Sequence, residues 1–349
     1  MPEVRISTLD VNRINELADF SRQIHPRLID ARKRISWFLL GTPFLEEIEN
    51  TPALITLDTD GRIAGQFMLN DQEWYYKNLK YRGVFGYDFF IAEDHRRSGM
   101  GALLLFKAVR GERVFFGVGL TPAAEKLYEA AKIKKIGVLK KFLWVNKPFS
   151  SAGHVLSYMF KWNGEISGSN CDKVFPAKAF ACSLVFKLIQ EPPVEKYNPY
   201  YDPDVIEFSR STGFLRWRFF DSDIKYYFYY CSDYDVPLFF VVRPVLRKGL
   251  KLLSLVDYKS PVRDGKALGS ILKAAKSIAR VMGFDGLVSA GSYESINKAF
   301  AKEGFLPVGK PAPIVSTFRD DPLTGDNPDV EVCITMADAD LDLNFGDDQ

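Results

Sequence analysis

The sequence predicts an α/β protein with mixed α+β sheets, arranged as two domains in tandem. The chain has 349 residues, which is more than one ordinary domain contains. Apolar side chains make up 47% of it, enough for a substantial core. Stretches with the period of a strand alternate with stretches with the period of a helix, and the same order of elements occurs in both halves.

The first half begins with a predicted strand at residues 3–9. Helices are predicted at 10–20, where Asp10 suits the N-cap, and at 28–40. Residues 53–69 have the pattern of a hairpin that turns at Asp58–Gly61. The remaining elements of this half are a strand at 81–92, a helix at 102–109, a strand at 114–119, a helix that Thr121 and Pro122 open as N-cap and N1, and a strand at 136–145.

Residues 149–203 interrupt this rhythm, and we expect them to form a connector with helical segments at 154–160 and 177–188. The order of elements then restarts with a helix at 204–210. It continues with strands at 225–231, 237–242 and 250–256, a helix at 267–282, a strand at 286–290, a helix at 295–303 and strands that end at 318 and 336. The expected domains are therefore 1–148 and 204–349, the second with an acidic tail.

Composition points to a soluble, cytoplasmic protein. No apolar run is long enough to span a membrane, and the first residues lack the pattern of a secretory signal. The four cysteines are scattered without metal-type spacing, so we expect no metal site. Residues 1–319 carry 46 basic and 34 acidic side chains, which favours nucleic acid or a polyanionic cofactor as the partner. Because no aromatic RNA-stacking motif is present, we expect the cofactor and no nucleic acid. The sequence leaves the oligomeric state open.

Residues 89–109, FFIAEDHRRSGMGALLLFKAV, are the strongest functional signal. An apolar strand leads into a basic turn, and an apolar helix follows. The turn, Arg96–Gly101, has the spacing R-x-x-G-x-G. Glycines there let the backbone approach a ligand, and the first helical N–H groups favour an anion. The pattern predicts a pyrophosphate site, although a plain loop that enters a helix can carry the same letters.

A second motif follows the turn: Thr121-x-x-Ala124-x-x-Leu127-Tyr128. Together the two motifs resemble the GNAT superfamily of acyl-CoA N-acyltransferases, whose second motif reads N-x-x-A-x-x-L-Y. The resemblance implies acetyl-CoA, or another acyl-CoA, as co-substrate. The strand backbone would pair with the pantetheine arm, and the turn amides would take the pyrophosphate. The residues expected at the coenzyme are Phe89, Ile91, Arg96, Arg97, Ser98, Gly99, Met100, Gly101, Ala102 and Thr121.

The sequence departs from the family pattern in two places. Thr121 stands where the family has Asn, and Lys132-Ile133 replaces its Gly-Phe. The lysine-rich stretch that begins there would either meet the remote phosphate of the coenzyme or form a solvated face. Its members are Lys132, Lys134, Lys135, Lys140 and Lys141.

Three residues are candidates for acid–base chemistry. By the resemblance, Tyr128 would protonate the leaving thiolate; the alternative is a tyrosine packed in the core. Asp88 and Glu93 flank the coenzyme strand and are the candidates for the base, or else are solvated carboxylates. Alternation along the strand places Asp88 on the side opposite Phe89 and Ile91.

The second half resembles a degenerate copy of the first. Residues 297–305 resemble the second motif, with Phe300 in the place of the tyrosine. Counted from Arg263, the two glycine positions hold Lys266 and Leu268, whose side chains would obstruct a pyrophosphate. The sequence therefore predicts two GNAT-like domains in tandem, the second degenerate, with one coenzyme site in the first.

The resemblance implies an N-acetyltransferase that acts on a small-molecule amine, such as an amino sugar. One alternative is a non-catalytic acyl-CoA sensor or scaffold. Another is a Fem-type aminoacyl-tRNA-dependent transferase, since such enzymes also pair GNAT-like domains.

Overall fold

A computed structural model of the chain describes residues 5–24, 31–44, 53–58, 60–110, 113–148, 174–194, 197–247, 249–319 and 330–338. The chain divides into two compact units. Unit 1 comprises Met1–Tyr75, Leu79–Gly137 and Ala312–Val330, and unit 2 comprises Tyr76–Asn78, Val138–Pro311 and Glu331–Gln349. The mixed α/β class is confirmed. The expected helix at 154–160 and most of the acidic tail lie outside the described residues.

Unit 1 is a mixed sheet with helices on both faces. Its strands follow the order β1 (Arg5–Thr8), β2 (Ala53–Leu57), β3 (Ile63–Tyr76), β4 (Leu79–Ile91), β5 (Val114–Val118) and β14 (Leu306–Ser316). The strands β4 and β5 are parallel, so a crossover must join them, and α3 (Met100–Val109) provides it. The elements are β1 (Arg5–Thr8), a 3₁₀ turn (Val11–Arg13), α1 (Ile14–Ile24), α2 (Ala31–Leu40), β2 (Ala53–Leu57), β3 (Ile63–Tyr76), β4 (Leu79–Ile91), α3 (Met100–Val109), β5 (Val114–Val118), α4 (Pro122–Ala130) and the start of β6 (Lys134–Val145).

The strands of unit 2 follow the order β6 (Lys134–Val145), β13 (Gly286–Gly291), β12 (Leu250–Lys259), β11 (Leu238–Arg247), β10 (Tyr227–Cys231), β8 (Leu184–Ile189) and β7 (Lys178–Ala181). Here β12 and β13 are the parallel pair, and β9 (Val205–Phe208) pairs in parallel with β15 (Glu331–Cys333). The elements are β7 (Lys178–Ala181), β8 (Leu184–Ile189), β9 (Val205–Phe208), α5 (Thr212–Leu215), a π-helical turn (Arg216–Phe220), β10 (Tyr227–Cys231), β11 (Leu238–Arg247), β12 (Leu250–Lys259), α6 (Gly265–Met282), β13 (Gly286–Gly291), α7 (Glu294–Lys302), β14 (Leu306–Ser316) and β15 (Glu331–Cys333).

The helix predicted at 177–188 is wrong, because these residues form the hairpin of β7 and β8. Ala179 and Ala181 are buried in the core of unit 2, whereas the alternate residues Lys178, Phe180 and Cys182 are exposed. An inward residue at every second position is the period of a strand. Cys182 supplies the left-handed turn residue, with φ 54°.

The helix predicted at 204–210 is also wrong. Val205–Phe208 is a strand of four buried residues, and Val205 pairs with Glu331. A partner so distant in the chain overrides the local preference of the segment. The other predicted elements that lie within the described residues occur with shifted ends.

The element order of the first half recurs in the second. Strand, helix, parallel strand, helix and strand run from β4 to β6 and again from β12 to β14. The second helices of the two series end alike: the Ile133 amide donates to Tyr128 O at 3.0 Å, and the Phe305 amide donates to Phe300 O at 3.0 Å. Among the described residues, no helix is long and apolar enough to cross a membrane.

Candidate functional site

The strand that leads into the turn has a left-handed residue at Asp88, whose φ is 48°. Tyr87 and Asp88 both line a cavity beneath α2, so two successive residues share a face there. Phe89 and Ile91 pack on the opposite face in the core of unit 1, with the Phe89 ring 4.8 Å from Phe67. The predicted placement of Asp88 opposite Phe89 and Ile91 is confirmed.

The pairing of β4 with β5 stops before Asp88, because β5 ends at Val118. Their parallel register runs from Gly83↔Val114 to Gly86↔Gly117 and ends there. Within the described residues, Phe89–Ile91 has no β5 residue beside it. This edge of β4 therefore offers strand N–H and C=O groups to a ligand that lies along it.

The turn after β4 delivers the chain into α3 through two glycines with different roles. Gly99 has φ 82°, a left-handed conformation that strains other residues. A Cβ on Gly101 would lie 3.5 Å from Ile91 Cγ1 and 3.7 Å from Phe89 Cζ, which are ordinary contacts. Packing of the protein therefore does not require a glycine at 101. A ligand that approaches the backbone would.

The start of α3 carries no side-chain cap at Gly99. Ser98 Oγ accepts a long hydrogen bond of 3.4 Å from the Met100 amide and donates to His95 O at 2.6 Å. In the described part of the chain, no acceptor is bonded to the amides of Gly101 and Ala102. Unpaired N–H groups at the start of a helix can bind an anion.

The two arginines of the turn are arranged differently. Arg96 folds back: its Nε donates to Ile91 O at 3.4 Å, and its guanidinium lies 5.5 Å from the centre of the Phe90 ring. Both arginines are exposed to solvent, but only Arg96 makes these contacts. Arg97 is thus the cation that remains available near the turn, while Arg96 holds the turn against β4.

Tyr128 lies on the inner face of α4 in the core of unit 1, with 3% of its surface exposed. Its ring centre is 5.9 Å from that of Phe115. Burial raises the pKa of Tyr128 well above its ordinary value. The phenol is therefore a proton donor at any physiological pH, and its role as the acid stays a prediction.

Thr121 begins α4 as expected. Its side-chain oxygen accepts a hydrogen bond of 3.3 Å from the Ala124 amide, which is the N-cap contact. This oxygen already accepts the capping hydrogen bond. A coenzyme would therefore contact the rest of the hydroxyl group or the backbone of Thr121. The assignment of Thr121 to the coenzyme remains a prediction.

The two candidate bases occupy different environments. The Asp88 side chain is 7% exposed, and its Oδ2 lies 3.8 Å from Arg34 Nη2 on α2. Glu93 is exposed at the start of a 3₁₀ turn, Glu93–His95. The structure does not bring the two carboxylates together, and only Asp88 has a defined polar surrounding.

The sequence reasoning missed a polar group beneath α1 and α2. Ser21 Oγ donates to Gln66 Oε1 at 2.8 Å, and Gln66 Nε2 donates to Asp88 O at 3.4 Å. Ser21, Arg34 and Asp88 line a cavity of about 10 Å³, room for about one water. A buried glutamine inside the apolar stretch IAGQFML was the signal that would have found it.

In unit 2, the position that corresponds to the turn is filled by the chain itself. Asp264 Oδ1 accepts hydrogen bonds of 2.9 Å and 3.0 Å from the amides of Lys266 and Ala267. Tyr258 donates from its hydroxyl to Ala290 O at 3.0 Å, across the parallel pair β12 and β13. Both the anion position and the gap between the strands are thus occupied by side chains. The described residues contain no cluster of His, Cys, Asp or Glu that could hold a metal ion.

No protein-family model and no curated protein matches the sequence. Solved structures do match the fold, and each of the three described below covers 90% of the chain. A GCN5-related N-acetyltransferase from Anabaena variabilis has a TM-score of 0.55 at 12% identity, with 72% of that chain covered. The N-myristoyltransferase of Saccharomyces cerevisiae with bound myristoyl-CoA has a TM-score of 0.53 at 9% identity, with 82% covered. A probable N-acyltransferase from Enterococcus faecalis has a TM-score of 0.55 at 10% identity, with 72% covered. The chain therefore has the GNAT fold that these N-acyltransferases share.

Proposed function

We propose that the protein is an acyl-CoA-dependent N-acyltransferase with one coenzyme site, at the turn between β4 and α3. The acyl group is acetyl, and the acceptor is a small-molecule amine, such as an amino sugar. We place the reaction in the cytoplasm.

One observation carries this proposal: the uncapped start of α3 lies next to the free edge of β4. The edge suits an arm that bonds to strand backbone, and the amides of Gly101 and Ala102 suit the pyrophosphate that follows it. Arg97 adds a cation close to the turn. The fold is the one in which N-acyltransferases are found.

The chemistry needs a donor, an acceptor and a stabilised oxyanion. The amine nitrogen attacks the thioester carbon, the new C–N bond forms, and the C–S bond breaks. Backbone N–H groups on the free edge of β4 suit the developing oxyanion. Asp88, directly or through a water, takes the proton that the amine loses, and Tyr128 gives a proton to the leaving thiolate.

Calorimetric titration with acetyl-CoA tests the coenzyme site, and we expect one molecule bound per chain. A stoichiometry near two would contradict the single site. Titrations with octanoyl-CoA and myristoyl-CoA test the acyl length, because one structural neighbour binds myristoyl-CoA. Affinity that rises steadily with chain length would replace acetyl by a longer acyl group.

Release of free thiol in the presence of a panel of amines tests catalysis. An increase over the rate without amine supports the transferase. Tight acyl-CoA binding with no amine-dependent release would instead support a sensor or scaffold. That second candidate draws on the separation of the two candidate carboxylates and on the burial of Tyr128.

A Fem-type aminoacyl-tRNA-dependent transferase is the remaining candidate. It needs no coenzyme turn, so a bulky side chain at Gly101 would leave its activity intact. The same change abolishes acyl-CoA binding if the proposed function holds.

A further inference from the structure

Unit 1 contains a second cleft at the far end of α3. Its volume is about 440 Å³. It lies where α3 ends, β5 begins and α4 ends, whereas the coenzyme turn lies where α3 begins. A helix of ten residues is about 15 Å long, which separates the two places. The lining residues include Phe106, Arg110, Arg113, Lys132, Lys134 and Arg319.

This cleft, which we call the basic cleft, gathers five cationic side chains from separate parts of the chain. Among the described residues that line it there is no carboxylate. Arg113 forms an ion pair with Asp71, outside the lining. Arg110, Lys132 and Arg319 form no ion pair with any described residue. Like charges that converge raise the energy of the fold, and a bound anion would offset that cost.

The backbone conformation at Lys132 also supports a bound anion in the basic cleft. Lys132 has φ 56° at the end of α4, the left-handed position that normally holds glycine. The matching position at the end of α7 holds Gly304, with φ 79°. A lysine at this position strains the backbone, yet its side chain lines the basic cleft. The fold alone would prefer glycine.

The walls of the basic cleft are fixed by hydrogen bonds. Thr317 Oγ1 accepts from the Phe115 amide at 2.9 Å, and Ser316 Oγ donates to Phe115 O at 2.7 Å. The Phe318 ring lies 5.2 Å from that of Trp74. Phe106 and Phe318 add flat apolar surface. The wall formed by Ser316, Thr317 and Phe318 is therefore held in place by the fold.

We propose that the basic cleft binds a small polyanion that carries two or more phosphate or carboxylate groups. Arginine forks match both groups, and lysines add point charge. The volume falls within the range of small-molecule sites, about 300–1,000 Å³. This site is separate from the coenzyme turn and does not depend on the function proposed for that turn.

Calorimetric titration with inorganic pyrophosphate and with citrate tests the proposal at low and at high salt. The turn must be blocked, since it also suits pyrophosphate. Titrations therefore use the chain saturated with coenzyme A and, independently, the Gly101→Leu chain. We expect one site per chain in both, with affinity that falls as salt rises. Stronger binding of pyrophosphate would identify a phosphate ligand, and stronger binding of citrate a carboxylate ligand.

Lys132→Gly is the decisive variant. It removes one cation and also relaxes the backbone, so we expect polyanion affinity to fall at least about tenfold while the melting temperature stays or rises. Lys126→Ala, at an exposed lysine on α4 outside the cleft, is the matched control and should change neither.

Three outcomes would overturn the proposal. The first is the absence of binding in both blocked chains. The second is equal affinity in Lys132→Gly and the unmodified chain. The third is tight binding of a short single-stranded DNA without any binding of pyrophosphate or citrate, which would make the cleft a nucleic-acid contact.

Discussion

The carboxylate of Asp264 accepts a hydrogen bond of 2.9 Å from the amide of Lys266, so the chain supplies its own anion at the start of α6. The corresponding start of α3, at Gly99, has no side-chain cap. The two helices are thus prepared for different uses. One is closed by a carboxylate of the protein, and the other is open to an anion from outside.

Asp264→Ala should destabilise the protein by about 1 kcal/mol, because the amides at the start of α6 lose their acceptor. It should leave acetyl-CoA affinity and the stoichiometry of one unchanged, since Tyr258 still bridges the parallel strands. Urea unfolding and calorimetry measure the two effects. Asp264→Asn keeps a capping oxygen and should lose only a fraction of that stability. Loss of coenzyme binding in Asp264→Ala would argue against the first-half site.

Gly101→Ala should separate stability from binding. The added Cβ meets only ordinary contacts, and alanine favours a helix over glycine by up to about 1 kcal/mol. We therefore expect equal or higher stability together with acyl-CoA affinity that is lower by about tenfold or more. Gly265→Ala at the start of α6, where a Cβ has open space, is the matched control. It should gain stability and bind acyl-CoA normally; an undiminished affinity in Gly101→Ala would remove the backbone contact from the proposal.

Tyr128→Phe should lower kcat by about tenfold to a thousandfold while acyl-CoA affinity stays within about twofold. The ring is retained, so the packing against Phe115 is preserved. Because burial raises the pKa of Tyr128, the phenol stays protonated, and Tyr128 should add no alkaline limb to the kcat profile below about pH 10. Thiol-release assays at a series of pH values up to about pH 10 measure kcat and its dependence on pH. Full activity in Tyr128→Phe would return Tyr128 to a packing role.

Asp88→Asn should lower kcat by about a hundredfold or more, and Glu93→Gln by no more than about threefold. Asp88 sits in a fixed polar surrounding near Arg34, whereas Glu93 is exposed. Asparagine tolerates the left-handed backbone at 88, so the local backbone should survive and unfolding should be little changed. The reverse ranking of the two variants would transfer the role of base to Glu93.

A structural feature can be predicted from the sequence when the residues that cause it lie close together in the chain. The hairpin at Gly61, the N-cap at Thr121 and the turn at Gly99 follow from residues a few positions apart, and all were predictable. The strand at Val205 was not, because its partner Glu331 is far along the chain. Local period misled at 177–188, where an alternating strand contains enough apolar residues to resemble a helix.

The site divides in the same way. Glycine is the residue type that adopts the backbone conformation of this turn, so the turn could be predicted from the sequence. The polar group around Asp88 depends on α2 packing over β4, which places Arg34 beside it. No spacing in the sequence encodes that contact. The position of Asp264 before α6 is typical of an N-cap. Only the absence of glycines there was considered from the sequence, and this cap was not predicted.

Arg210 in unit 2 offers a test of a buried charge network. Its Nε lies 2.7 Å from Asp257 Oδ2 and its Nη1 2.7 Å from Asp338 Oδ1, and all three side chains are almost completely buried. Arg210→Met leaves two buried carboxyl groups without their cation, which should cost about 3–5 kcal/mol of unfolding free energy. Arg216→Met, at an exposed position, should cost less than about 0.5 kcal/mol.

The deficit of Arg210→Met should also depend on pH. Burial already raises the pKa of Asp257, and loss of the guanidinium removes the charge that opposes this rise. A carboxyl group with a raised folded pKa stabilises the fold when it is protonated and loses that contribution as pH climbs through the folded value. Urea unfolding should therefore show a smaller deficit at about pH 5 than at about pH 8. A deficit that grows in acid would mean that the two carboxyl groups find other cations once Arg210 is gone.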